Sequence, residues 1–349
     1  MKYLIFPFLC MGLHACNSQN HDAHHSINNP SILQAPEEIG EYVTSVYEDL
    51  RGNLWFGTLQ KGIAMYDGKQ FRYYTSEDGL PSDRVTSILE DADGNYWLTT
   101  GDGLSKYDGS SFTNYRIGEN DVASNMISQV YIDRDGAMWI GTWGGIYKFD
   151  GKDFAAFSLP APAISTVINE DTKNWITVIQ QDNEGNMWFA RDGHGICSYD
   201  GESFKHYLKR DGLHSNNITE IEFANDGAIW FGTRVAERDH PNPAKRFGKG
   251  GINRLVDGEF LSFPEIEAFS IGDVYCIYEA PNRDIWISTT QDGIYQYDGS
   301  AFSHYDVPGS VMDMTYDRNG ILWLAAAGGL YQLNKDGAVL HVTTEGPWE

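Results

Sequence analysis

Seven tryptophans divide the chain at nearly regular intervals. Trp55, Trp97, Trp139, Trp188, Trp230, Trp286 and Trp323 stand in "LWFGT", "YWLTT", "MWIGT", "MWFAR", "IWFGT", "IWIST" and "LWLAA". The spacings are 42, 42, 49, 42, 56 and 37 residues. A recurring period of this size means that one supersecondary unit is copied along the chain, each copy burying its apolar faces against its neighbours.

Each copy holds four short segments rich in β-branched and aromatic residues. In the second copy they are "VTSILE", "NYWLTT", "GLSKYD" and "SFTNYR". Segments of this length, separated by Gly and Asp turns, form a four-stranded antiparallel sheet. Seven such sheets set radially cover one another. The expected fold is therefore all-β, a seven-bladed β-propeller over residues 41–349. Blade one is expected to start near Tyr42 and blade seven to end in "AVLHVTT", each blade complete in sequence order, with no strand exchanged at closure.

The acidic, glycine-rich stretches fit this plan. "DADGN" at 91–95 joins the first two strands of its copy, and "DRDGA", "DNEGN", "ANDGA" and "DRNGI" are its relatives. "YDGS" and its relatives join the last two strands as Asp-Gly hairpin turns. "DADGN" has a superficial likeness to a calcium loop, but its glycine, Gly94, falls at the fourth position rather than the sixth and a strand follows it. No metal ligand and no cofactor is assigned. The formal charge of −24 argues against nucleic acid as a partner.

Residues 1–15 read as a secretory signal: Lys2, then an apolar run to Leu13, then Ala15. The segment Leu13-His14-Ala15-Cys16 resembles the bacterial lipoprotein box. That resemblance implies cleavage before Cys16 and acylation of its thiol. A secreted protein cut near Ala15 is the alternative. Residues 16–40 read as a flexible tether whose His21, His24 and His25 are solvated. Contact with a membrane is expected only through the lipid, and the location is the cell envelope. Cys197 and Cys276 are then the cysteines of the body, expected to stay unpaired because a blade separates them.

The signature "ED..GN.W.GT..G...YDG..F..Y....GLPS" across Glu48–Ser82, with its copies, resembles the two-component regulator propeller repeats of bacteria. The resemblance covers about residues 41–344 and implies an extracytoplasmic propeller. Many such propellers are sensor domains upstream of a membrane span and a histidine kinase. No span or kinase follows Glu349 in this sequence, so a stand-alone member is expected. Less closely, the blades resemble those of streptogramin lyases, metal-dependent enzymes with a catalytic His on the mouth face. No catalytic residue is mapped from them.

Functional residues are sought where copies depart from the rule. Two inserts, 159–175 and 234–251, fall on the face carrying the loops between second and third strands and the links between blades. Long loops on a rigid scaffold tend to carry function. The second insert gathers Arg234, Arg238, Lys245, Arg246 and Lys249. Blade four has "RDGHG" where blade two has "TGDG", bringing Arg191 and His194, and His214 replaces the proline of "GLPS". Arg191, His194, His214 and Arg234 are expected near the junction of blades four and five, with Trp143 and Trp175 beside them as a stacking wall. The reading is an extracytoplasmic ligand-binding or sensor propeller for a small anionic or sugar-like ligand, such as a glycan. The alternatives are a lyase or glycan-active hydrolase, and a docking module for a signalling or envelope protein.

Overall fold

The structure, a computed structural model, describes residues 39–118, 120–163, 172–234, 250–264 and 266–343. The expected signal segment, Cys16, and most of the tether and of the two inserts lie outside them.

Seven four-stranded antiparallel sheets follow one another, each with its strands hydrogen-bonded in sequence order. Their first strands are Val43–Glu48, Val85–Glu90, Ile127–Ile132, Ile176–Gln181, Ile218–Phe223, Val274–Glu279 and Val311–Tyr316. These strands pack against one another and form the inner ring. The molecule is the seven-bladed β-propeller expected, in the expected phase. Among the described residues no strand is exchanged at closure. Blade seven instead meets blade one through a shared apolar core, in which Phe56 packs on Trp323, and through scattered hydrogen bonds. Tyr42 and Ala327 form an isolated bridge, Gly328 N donates to Glu41 O at 2.8 Å, and Arg318 Nε donates to Glu48 Oε1 at 2.7 Å. Ile39, which the sequence reading gives to the tether, is buried in the same core cluster as Phe56, Trp323 and Val342.

Each anchor tryptophan lies on a second strand and is buried between blades. Five of the seven share one device. Asp49, Asp91, Asp133, Asp182 and Asp317 accept the indole N–H of the tryptophan six residues later at 2.8–3.1 Å. The other carboxylate oxygen accepts backbone N–H groups of the turn; in blade two these are Asp93 N and Asn95 N. Both oxygens of the calcium-like turn are thus spent on the fold. Blades five and six carry Ala224 and Ala280 at that position. There no turn carboxylate among the described residues meets the buried indole nitrogen of Trp230 or Trp286.

Neighbouring blades are stitched at the inner ring. Where the first strand bulges, Thr44 Oγ1 donates to Val85 O at 2.6 Å, Ser128 Oγ to Ile176 O at 2.5 Å, and Thr219 Oγ1 to Val274 O. Cys197 and Cys276 are buried and free. Among the described residues, no helix is long and apolar enough to cross a membrane.

Candidate functional site

Three local devices shape the mouth of blades three to five. In blade three, Thr142 Oγ1 accepts Gly144 N at 2.9 Å and Gly145 N at 3.0 Å, folding the Trp143-Gly144-Gly145 loop around itself. Gly145 has φ +141, a conformation that disfavours a side chain. At the entry to blade four, Trp175 N donates to Thr172 O at 2.8 Å, and Asp192 N donates to Trp175 O at 2.9 Å. The loop after the second strand is thereby pinned to the link that precedes the blade. In blade five, Arg234 N donates to Asn217 O at 2.8 Å and fixes the start of the insert.

These loops build a column. The rings of Trp143 and Trp175 stack with centroids 4.6 Å apart and an angle of 22°. The Arg234 guanidinium lies 4.6 Å from the Trp175 ring centroid. Arg234 is paired with Asp192 across the seam between blades four and five. The other oxygen of Asp192 accepts Thr172 Oγ1 at 2.7 Å. Arg234 and Asp192 are only 5% and 7% exposed, so the pair is held out of water. Both tryptophans are half-buried. Three N–H groups here, Trp175 Nε1, Arg234 Nε and Arg191 Nε, are buried without an acceptor among the described residues. Buried donors of this kind are rare in native proteins and require an explanation.

His194 Nδ1 lies 2.8 Å from the Asp192 main-chain oxygen. That bond places the ring proton on Nδ1 and leaves Nε2 as an acceptor. Burial pushes the His194 pKa below its ordinary value, and Arg191 adds to the effect. The His194 ring therefore becomes an imidazolium only at lower pH than an ordinary histidine. His214 has other partners: its backbone N–H donates to Asn253 Oδ1 at 2.8 Å, and its Nδ1 lies 3.2 Å from Gly250 O. Arg191 ends the second strand of blade four and lines a cavity of about 250 Å³ with Gly144, Gly145, Ser158 and Asn174. Sequence reasoning selected Trp143, Trp175, Arg234, His194 and Arg191 but not Asp192 or Thr172, which hold the column together.

With this geometry in place, the relatives can be set beside it. A family model described as two-component regulator propeller matches residues 79–102 and 121–144. The chain is 25% identical over 190 residues to histidine kinase P4 of Formosa agariphila, covering 48% of this chain and 13% of that one. It is similar in fold to the extracellular domain of the hybrid two-component system BT3049 from B. thetaiotaomicron. There the TM-score is 0.67 at 25% identity, over 86% of this chain and 39% of that one. A streptogramin B lyase superposes with a TM-score of 0.62 at 16% identity, over 86% and 94% of the two chains. That second likeness is one of fold. The chain therefore spans well under half the length of the sensor proteins it resembles. It is a seven-bladed propeller, and the two-component regulator propeller model matches two stretches of it.

Proposed function

We propose that this chain is an exported, sensor-type propeller that binds a small sugar-like ligand at its mouth, with the ring of the ligand laid against Trp143. The observation that carries this reading is the Trp143–Trp175–Arg234 column. A flat, half-open aromatic face, backed by a second ring and a guanidinium, suits the apolar face of a sugar ring. The column is stiff because Asp192 and Thr172 hold its buried end, so little ordering is left for binding to impose. The sensor part of the reading is supported by relatives that are a histidine kinase and the extracellular domain of a two-component system.

The geometry favours binding over catalysis. The Asp192 carboxylate is engaged by Arg234 and Thr172, and His194 is tied to a main-chain oxygen rather than to an acid. A histidine base is commonly oriented by a carboxylate on its second nitrogen, and here Nδ1 of His194 is taken by a main-chain oxygen. Attachment to the membrane through an acylated Cys16 belongs to the same proposal. Several acyl chains would anchor the protein stably. Labelling with a fatty-acid probe is expected to vanish in Cys16→Ser, and unchanged labelling excludes the anchor.

The binding reading is tested by tryptophan fluorescence titration with neutral mono- and oligosaccharides. A saturable change in the wild type that is lost in Trp143→Ala is the expected result. Saturable binding of the same sugar with equal affinity in Trp143→Ala contradicts it.

A further inference from the structure

Arg191 is a cation without a counter-ion among the described residues of a protein that has 49 Asp and Glu against 25 Lys and Arg. Its side chain is half-buried, and its Nε is fully enclosed with no acceptor among the described residues. Two other mouth arginines are compensated: Arg116 pairs with Asp102 at 2.6 Å, and Arg234 pairs with Asp192. Arg191 has no such pair among the described residues. Burial lowers the pKa of His194 and His206, and the Arg191 charge lowers both further; Arg210 acts on His206 in the same sense. Burial lowers the Arg191 pKa, and the one group opposing this is the Cys197 thiol. Taking a guanidinium out of water without a partner is costly, and such a cost persists where the partner is a ligand.

The space for that partner is present. Arg191 lines the cavity of about 250 Å³ between blades three and four. A Cβ built on Gly145 meets no atom within 4 Å, so the loop leaves its backbone open there. Ser158 and Asn174, which also line the cavity, supply neutral hydrogen-bonding groups. A small oxyanion fits this set: one forked cation, two neutral polar side chains and a glycine backbone that an anion can approach closely.

We propose that the cavity between blades three and four is a binding site for a small oxyanion, a carboxylate or a phosphate, held by the Arg191 guanidinium. The site adjoins the tryptophan column through Gly144 and Asn174, and it is tested apart from the sugar reading, since its probes carry no ring.

Calorimetric titration of the full-length chain at low ionic strength, with sodium acetate and with inorganic phosphate as the two probes, tests the proposal. Saturable binding of either probe is expected, and the probe that binds tells a carboxylate site from a phosphate site. Affinity is expected to fall by at least about tenfold in Arg191→Met, the loss typical of a hydrogen bond to a charged group. Arg116→Gln, which removes a mouth cation that is already paired, is expected to bind like the wild type. The Tm of Arg191→Met without anion is expected to equal or exceed that of the wild type, because an uncompensated charge is removed, and the anion is expected to raise only the wild-type Tm. No saturable binding of either probe to the wild type, or equal binding by Arg191→Met, overturns the site. Should Arg191→Met fail to fold, Arg191→Lys carries the test. It keeps the charge and loses the fork, so affinity is expected to drop several-fold, and unchanged affinity overturns the proposal.

Discussion

Asp192 and Arg234 form a buried ion pair across the seam between blades four and five, 42 residues apart in sequence. That separation is one repeat, so the two residues occupy equivalent positions on adjacent blades. The pair sets the height at which the Arg234 guanidinium meets Trp175, and through it the back of the Trp143–Trp175 stack.

Removing one partner leaves the other charge buried and alone. Asp192→Ala is expected to lower the unfolding free energy by about 3–5 kcal/mol. The double variant Asp192→Ala with Arg234→Met is expected to recover most of that loss. Urea denaturation of the wild type, both single variants and the double variant reads the coupling. A fully additive cycle would show that the pair does not act as a unit.

The missing turn aspartates give a second expectation. In blade five Ala224 stands where Asp133 stands in blade three, and the Trp230 indole N–H has no acceptor. Ala224→Asp is expected to stabilise the protein by about 0.5–1.5 kcal/mol, the net value of one hydrogen bond. Asp133→Ala is expected to cost about 1–3 kcal/mol, because it strands a buried N–H in blade three. Thermal melts of the two variants decide this, and a destabilising Ala224→Asp would show that the turn of blade five cannot seat a carboxylate.

A third concerns acidity. Glu222 and Asp313 stand half-buried at the inner ring, where loss of water raises both pKa values to about 7. Glu222 accepts Glu279 N at 3.0 Å, and Asp313 accepts Val46 N of blade one at 3.0 Å. A carboxyl raised in the folded state binds its proton more tightly there than in the unfolded chain. Its contribution is full below the unfolded value near 4 and is lost as pH rises towards 7. Glu222→Gln keeps the acceptor oxygen and removes the titration; Gln180 occupies the equivalent position in blade four. The variant is therefore expected to gain on the wild type by on the order of 1–3 kcal/mol between pH 4 and pH 8. Denaturation at both pH values measures the gain, and a difference independent of pH contradicts the shift.

The fold was readable because the repeat is carried by residues whose role is local: a tryptophan in a strand, an Asp-Gly turn, a period near 42. What the turn aspartates do was not readable from one copy. A cap at Asp91 explains the turn in isolation, whereas its bond to Trp97 appears only when the strand brings the indole back over the turn. Trp143 and Trp175 were legible as candidates by type, but their stacking depends on how blade three meets the link into blade four. Asp192 does not stand out in the sequence, because the departures from the repeat at the mouth are cations and aromatics. Reading one period ahead would have set it opposite Arg234. His214 departs from the repeat as clearly as His194 does, yet it takes its partners from Gly250 and Asn253 of blade five.

The central claim is that the mouth binds a ligand on the face of Trp143, and a crystal soak with the sugar found by fluorescence titration tests it most directly. The account predicts density for a sugar ring parallel to the Trp143 indole, with the Trp143–Trp175 stack and the Asp192–Arg234 pair unmoved. Density for the sugar elsewhere on the propeller, with the face of Trp143 still open to solvent, would contradict it.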